Sequence, residues 1–81
     1  MTAAQIRSDI QALRDALPSL TERELQVLGG MSRGRSNSEI GKELYLSEDT
    51  VKTHARRLFR KLGAADRAQA VAVGFRTGLV R

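Results

Sequence analysis

Apolar residues recur at three- and four-residue intervals along this chain, the period of an α-helix. The pattern predicts five helices and no strands. In the first, Ala3 to Leu17, the residues Ile6, Ile10, Leu13 and Leu17 share one face, Thr2 caps the start with Gln5 three residues on, and Pro18 is the stop. The second runs from Glu22 to Arg33. Thr21 and Glu24 form a capping box there, and Leu20 and Leu25 are placed to staple it. Gly29 and Gly30 weaken its interior by about 1 kcal/mol each relative to alanine. Gly34-Arg35 is a break. Ser36 and Glu39 make a second capping box for a short helix, Asn37 to Leu44, with Ile40 and Leu44 as its apolar edge. Tyr45-Leu46 is a turn, and Ser47 caps a longer helix from Glu48 to Leu62, with Glu48 and Asp49 at its electropositive end. Gly63 stops it. Asp66, with Gln69 three residues later, caps the last helix, Arg67 to Thr77, which Gly78 ends.

The fourth helix carries the most pointed pattern. Between Thr50 and Leu62 there are five basic side chains and no acidic one. Val51, Ala55, Leu58 and Leu62 fall on one face, while Lys52, Thr53, Arg56, Arg57 and Arg60 fall on the other. One apolar face and one cationic, hydrogen-bonding face suit the DNA major groove. Charge elsewhere sharpens the contrast. Residues 1–49 hold six basic and eight acidic side chains, residues 50–81 eight basic and one acidic, so net charges of −2 and +7 sum to the chain's +5. Such asymmetry fits a polyanion-binding C-terminal half. An anionic membrane is a poorer partner, because the apolar face lacks tryptophan and the bulk of an inserting helix.

Composition narrows the rest. Eighty-one residues suffice for one small domain, and a domain of this size buries only about 60–65% of its unfolded surface, so dimerisation would help it. With no cysteine there is neither a disulfide framework nor a thiolate metal site. No apolar run approaches a membrane span and no signal peptide is recognisable, so a cytoplasmic, nucleoid-associated protein is expected. Paired carboxylates, a nucleophile elbow, a P-loop and metal-ligand clusters are all missing, so no catalysis, cofactor or metal is expected. Met1 and the regular first helix favour a complete small protein.

Two short capped helices joined by about three residues, the second one basic, make a helix-turn-helix pattern. Leu20-Thr21-Glu22-Arg23-Glu24, Val27-Leu28, Gly34, Ser36-Asn37, Glu39-Ile40, Leu46-Ser47, Thr50-Val51-Lys52-Thr53-His54, Lys61-Leu62-Gly63 and Ala68-Gln69-Ala70-Val71 together resemble the LuxR/NarL/FixJ-type (GerE-like) DNA-binding domain. The resemblance covers residues 19–81, leaving 1–18 as a separate amphipathic helix. It implies an all-α, four-helix domain that binds double-stranded DNA as a homodimer and regulates transcription. It also implies that Lys52, Thr53 and Arg56 face bases, and that Ser36, Asn37, Thr50, His54 and Lys61 lie near phosphates. Gly30 stands where the family has a larger apolar residue, Gly41 replaces its usual alanine, and Arg35 replaces a commonly apolar residue.

The residues themselves add further expectations. Arg57, Arg60 and Lys61 read as backbone clamps, and Arg35 adds a phosphate contact beside Ser36. His54 reads as packing or a phosphate contact rather than a pH switch. Tyr45, Phe59 and Phe75 read as core or turn packing. In the last helix Ala68, Val71, Ala72 and Phe75 form the stripe assigned to the core. Ala70, Val73, Gly74 and Thr77 form a second stripe assigned to a dimer partner, the helix to which the resemblance also points. An alternative function is an interaction module that docks another regulator or RNA polymerase through the N-terminal helix.

Overall fold

The computed structural model describes residues 2–7, 11 and 20–81. Among them every regular element is helical: α1 (Glu22–Ser32), α2 (Asn37–Leu44), α3 (Glu48–Leu62) and α4 (Arg67–Arg76), preceded by helical residues 3–7 and 11. None of these helices is long and apolar enough to cross a membrane. At the N-terminus Thr2 and Gln5 exchange reciprocal cap bonds, Gln5 N–H to Thr2 Oγ1 at 3.1 Å and Thr2 N–H to Gln5 Oε1 at 3.3 Å. Ile6 is exposed. Its expected stripe partners Ile10, Leu13 and Leu17, with the stop at Pro18, lie outside the described residues.

Each helix starts where a side chain can satisfy its free N–H groups. Thr21 and Glu24 form the capping box of α1, and Ser36 and Glu39 that of α2. Ser47 Oγ accepts from Thr50 N–H at 3.1 Å, and Asp66 accepts from Gln69 N–H at 2.9 Å. The helices pack α1 against α2, α3 and α4, with α3 also against α2 and α4. Val27, Leu28 and Met31 of α1 meet Ile40 of α2, Val51, Ala55, Leu58 and Leu62 of α3, and Ala70 and Val73 of α4 in one core.

Two glycines set the helix spacing. A Cβ on Gly30 would lie 2.7 Å from Ile40 Cγ1, so any side chain at this position must displace Ile40. A Cβ on Gly41 would lie 2.6 Å from the Leu46 carbonyl oxygen. The chain leaves α2 through Tyr45, held left-handed at φ 59°, and Leu46 N–H returns to Gly41 O at 2.8 Å. The turn therefore closes directly over the backbone of α2.

The two apolar faces of α4 are the reverse of the expected ones. Ala70, Val73 and Gly74 are buried and Thr77 is half-buried, whereas Ala68, Ala72 and Phe75 are exposed and Val71 is half-buried. The chain beyond Gly78 decides this. It turns back at φ 75°, Val80 N–H donates to Gly74 O at 3.2 Å, and Leu79 and Val80 pack on the core. A Cβ on Gly74 would meet Val80 at 3.0 Å and Leu28 at 3.3 Å, so the small face is the one that admits neighbours. The stripe of Ala70, Val73, Gly74 and Thr77 is thus corrected from a dimer face to core; in the other stripe Ala68, Ala72 and Phe75 are exposed, while Val71 packs partly on the core. Two aromatics are corrected likewise. Tyr45 is 95% and Phe75 50% exposed, and only Phe59 packs on the core.

Candidate nucleic-acid interface

Helix α3 is anchored by its apolar residues, which turns its cationic side outward. Lys52, Thr53, Arg56, Arg57 and Arg60 are all exposed. Among the described residues none of the four cations has a carboxylate partner. Lys52, Arg56 and Arg60 stand one turn apart in a single row. The Thr53 hydroxyl donates to Asp49 O at 3.1 Å, which leaves its methyl group and oxygen lone pairs for an outside contact.

The other expected contact residues are more occupied. Lys61 Nζ lies 2.6 Å from Glu24 Oε1, and Glu24 is 1% exposed. Lys61 is corrected accordingly: its ammonium serves a buried carboxylate rather than standing free for a phosphate. Burial pushes the Glu24 carboxyl up, but the Lys61 hydrogen bond and the Thr21 N–H and hydroxyl outweigh it and hold it below the usual range. Arg35 is also corrected, because its guanidinium pairs with Glu43, which Arg33 approaches at 3.9 Å. Thr50 and Ser47 share a hydroxyl hydrogen bond at 2.8 Å. His54 is half-buried on the flank of α3.

At the start of α2, Ser36 is exposed and both its N–H and its hydroxyl are used by Glu39. The Ser36 N–H, and after it the Ser36 hydroxyl beside the carboxyl, hold Glu39 below its ordinary value. Asn37 is half-buried, and Arg67 of α4 donates to its Oδ1 at 2.8 Å and to the Arg35 carbonyl through the other terminal nitrogen. A cleft of about 200 Å³ lies between these elements. Asn37, Lys52, Arg56 and Arg67 surround it, Phe59 lines it, and among the described residues no carboxylate does.

Arg67 was not among the residues expected from the sequence. A signal existed: a cation at the first position of a helix opposes the helix dipole, so a compensating contact elsewhere was to be sought. The Glu24–Lys61 pair had no comparable signal, since a capping-box glutamate is ordinarily solvated.

Two capped helices joined by a tight turn, with a third bracing them and a cationic outer face on the second, define a helix-turn-helix domain. Residues 18–73 match the family described as bacterial regulatory proteins, luxR family, and the chain belongs to that family. It is 46% identical over 68 residues to the transcriptional regulatory protein LiaR of Bacillus subtilis, covering 82% of this chain and 32% of LiaR. It is 44% identical over 78 residues to a probable transcriptional regulatory protein NarL of Mycobacterium tuberculosis, covering 96% of this chain and 35% of NarL. It superimposes on full-length FixJ from B. japonicum with a TM-score of 0.75 at 28% identity, covering 98% of this chain and 39% of FixJ. The chain thus spans about a third of the length of these relatives.

Proposed function

We propose that this chain binds double-stranded DNA sequence-specifically, with α3 in the major groove, and acts in transcription regulation as a homodimer. One contrast carries the reading. Arg33, Arg35 and Lys61 have carboxylates within ion-pair distance, while Lys52, Arg56, Arg57 and Arg60 on the outer face of α3 have none among the described residues. A row of unpaired cations on a helix of a helix-turn-helix is suited to phosphates and to guanine O6 and N7. Lys52, Thr53 and Arg56, early in the helix, take the base edges. Arg57 and Arg60 take the backbone, with Ser36, Asn37, Thr50 and His54 at the margins. The transcription-regulator relatives support the same role.

The exposed residues of this stripe of α4, Ala68, Ala72 and Phe75, supply the dimer surface, with half-buried Val71 at its base. A half-exposed phenylalanine beside two alanines is small enough for a second helix to approach and apolar enough to favour it. Titrating the protein into labelled duplex at several salt concentrations tests the whole reading. Neutralising about four phosphates per monomer gives a dimer slope of log K against log salt near −7. A slope shallower than about −2 would refute a phosphate-clamping dimer.

A further inference from the structure

Arg67 is placed where local preference disfavours it. It is the first residue of α4, where the free N–H groups and the helix dipole present positive charge. It also borders a cleft that already holds Lys52 and Arg56 and, among the described residues, no carboxylate. Its two contacts reach thirty residues and more back along the chain, to the Arg35 carbonyl and to Asn37 Oδ1. They tie the start of α4 to the start of α2.

The chemistry of the Asn37 contact fixes an orientation. A guanidinium has donors and no acceptor, so the atom of Asn37 that faces it is the oxygen. The amide nitrogen then points away from Arg67 with two N–H donors, and among the described residues no acceptor meets it. Without Arg67 the amide could rotate by half a turn and present an acceptor oxygen, which a phosphate repels.

We propose that Arg67 is a positioning residue for DNA binding: it locks the amide of Asn37 so that its two N–H donors face a backbone phosphate at the start of α2. This rests on the DNA-binding reading above. The role assigned to Arg67 is to hold Asn37 rather than to carry the phosphate: two of its five N–H donors are committed to the Arg35 carbonyl and to Asn37 Oδ1, which fix the guanidinium between them.

A double-mutant cycle on the full chain separates this from the alternatives. Arg67→Met, Asn37→Ala and the double variant are titrated into a duplex selected by the parent protein from a random pool, at several salt concentrations. Each single change weakens binding by about tenfold, the worth of a hydrogen bond to a charged group. The double variant loses no more than about the same tenfold, because the second change removes what the first has already disabled. The salt slope stays at the parent's value. A double variant weakened by the product of the two losses, or a slope shallower by about one for each Arg67 removed, would overturn the proposal. Arg67→Gln covers the case in which Arg67→Met does not fold. Its carboxamide is uncharged and offers an acceptor as well as donors, so Asn37 is no longer held in one orientation and the loss persists, whereas full binding by Arg67→Gln would overturn the proposal.

Nuclear magnetic resonance of the free protein tests the orientation without DNA. Asn37 is the only asparagine in the chain, so asparagine-selective labelling yields one side-chain amide signal. Arg67→Met shifts that signal, and an unshifted signal would overturn the proposal. A parent that binds no duplex but shows the shift would remove the DNA-binding reading and, with it, the phosphate role of Asn37.

Discussion

Glu24 and Lys61, thirty-seven residues apart, meet at 2.6 Å and join the first turn of α1 to the last turn of α3. The carboxylate is buried and also accepts the Thr21 cap bond at 3.2 Å, while Lys61 keeps 28% of its side chain in water. The pair therefore fixes how α3 sits on the rest of the domain.

Lys61→Met should lower stability by about 2–3 kcal/mol, short of the figure for a fully buried pair because the ammonium is partly solvated. The folded-state carboxyl titrates below its ordinary value of 4.5, so its contribution is complete above that pH and is lost as pH falls through the folded value. In Lys61→Met only the Thr21 bonds still oppose burial, so the folded carboxyl moves up towards its ordinary value and the loss on acidification should shrink. Urea unfolding from pH 3 to 7 measures both effects, and parallel pH profiles for the two proteins would show that the pair does not set the acid limb.

The adjacent glycines of α1 should respond in opposite directions. A Cβ on Gly29 meets only the end of the Arg33 side chain at 3.4 Å, so Gly29→Ala should raise stability by about 0.5–1 kcal/mol. Gly30→Ala must displace buried Ile40 and should lower it by about 1–2 kcal/mol net. Thermal melts of the two variants decide whether the α1–α2 spacing is as tight as described.

Substitutions along α3 should separate reading from clamping. Lys52→Ala and Arg56→Ala should each cost about 1–3 kcal/mol on a specific duplex and little on a random one. Arg57→Ala and Arg60→Ala should weaken both alike. Competition between specific and random duplexes measures this, and equal losses on both for Lys52→Ala and Arg56→Ala would remove them from the base edges.

The exchanged faces of α4 give the sharpest contrast. Val73→Glu places a charge in the core and should cost more than about 3 kcal/mol, leaving little folded protein. Phe75→Glu should keep its helix content yet shift sedimentation from dimer to monomer and reduce DNA affinity. A Phe75→Glu protein that sediments as the parent does would place the dimer contact elsewhere.

Helix positions were legible because the caps are local. Thr21, Ser36, Ser47 and Asp66 each act within three residues, so sequence spacing contains the whole interaction. The buried face of α3 was legible because its apolar and cationic sides are cleanly divided. Helix α4 has apolar residues around most of its circumference, and the choice between faces was made by Leu79 and Val80 after the turn at Gly78, a tertiary event with no periodic signature. The engagements of Lys61, Arg35 and Arg67 escaped for the same reason. A cation's partner lies wherever the fold brings a carboxylate or carbonyl, and sequence spacing does not encode a distance across the α1–α2 turn, as for Arg35 and Glu43, or across thirty residues and more, as for Lys61 and Arg67.

The unpaired row on α3 has an energetic consequence for the free protein. Lys52, Arg56 and Arg60 are like charges at successive i, i+4 positions, each pair destabilising the helix by about 0.2–0.5 kcal/mol. Added salt screens that repulsion, so the isolated domain should melt at higher temperature as ionic strength rises. The same salt should weaken the proposed hold on DNA. One row of side chains would then give stability and binding opposite ionic responses, a polyanion taking the place of added salt.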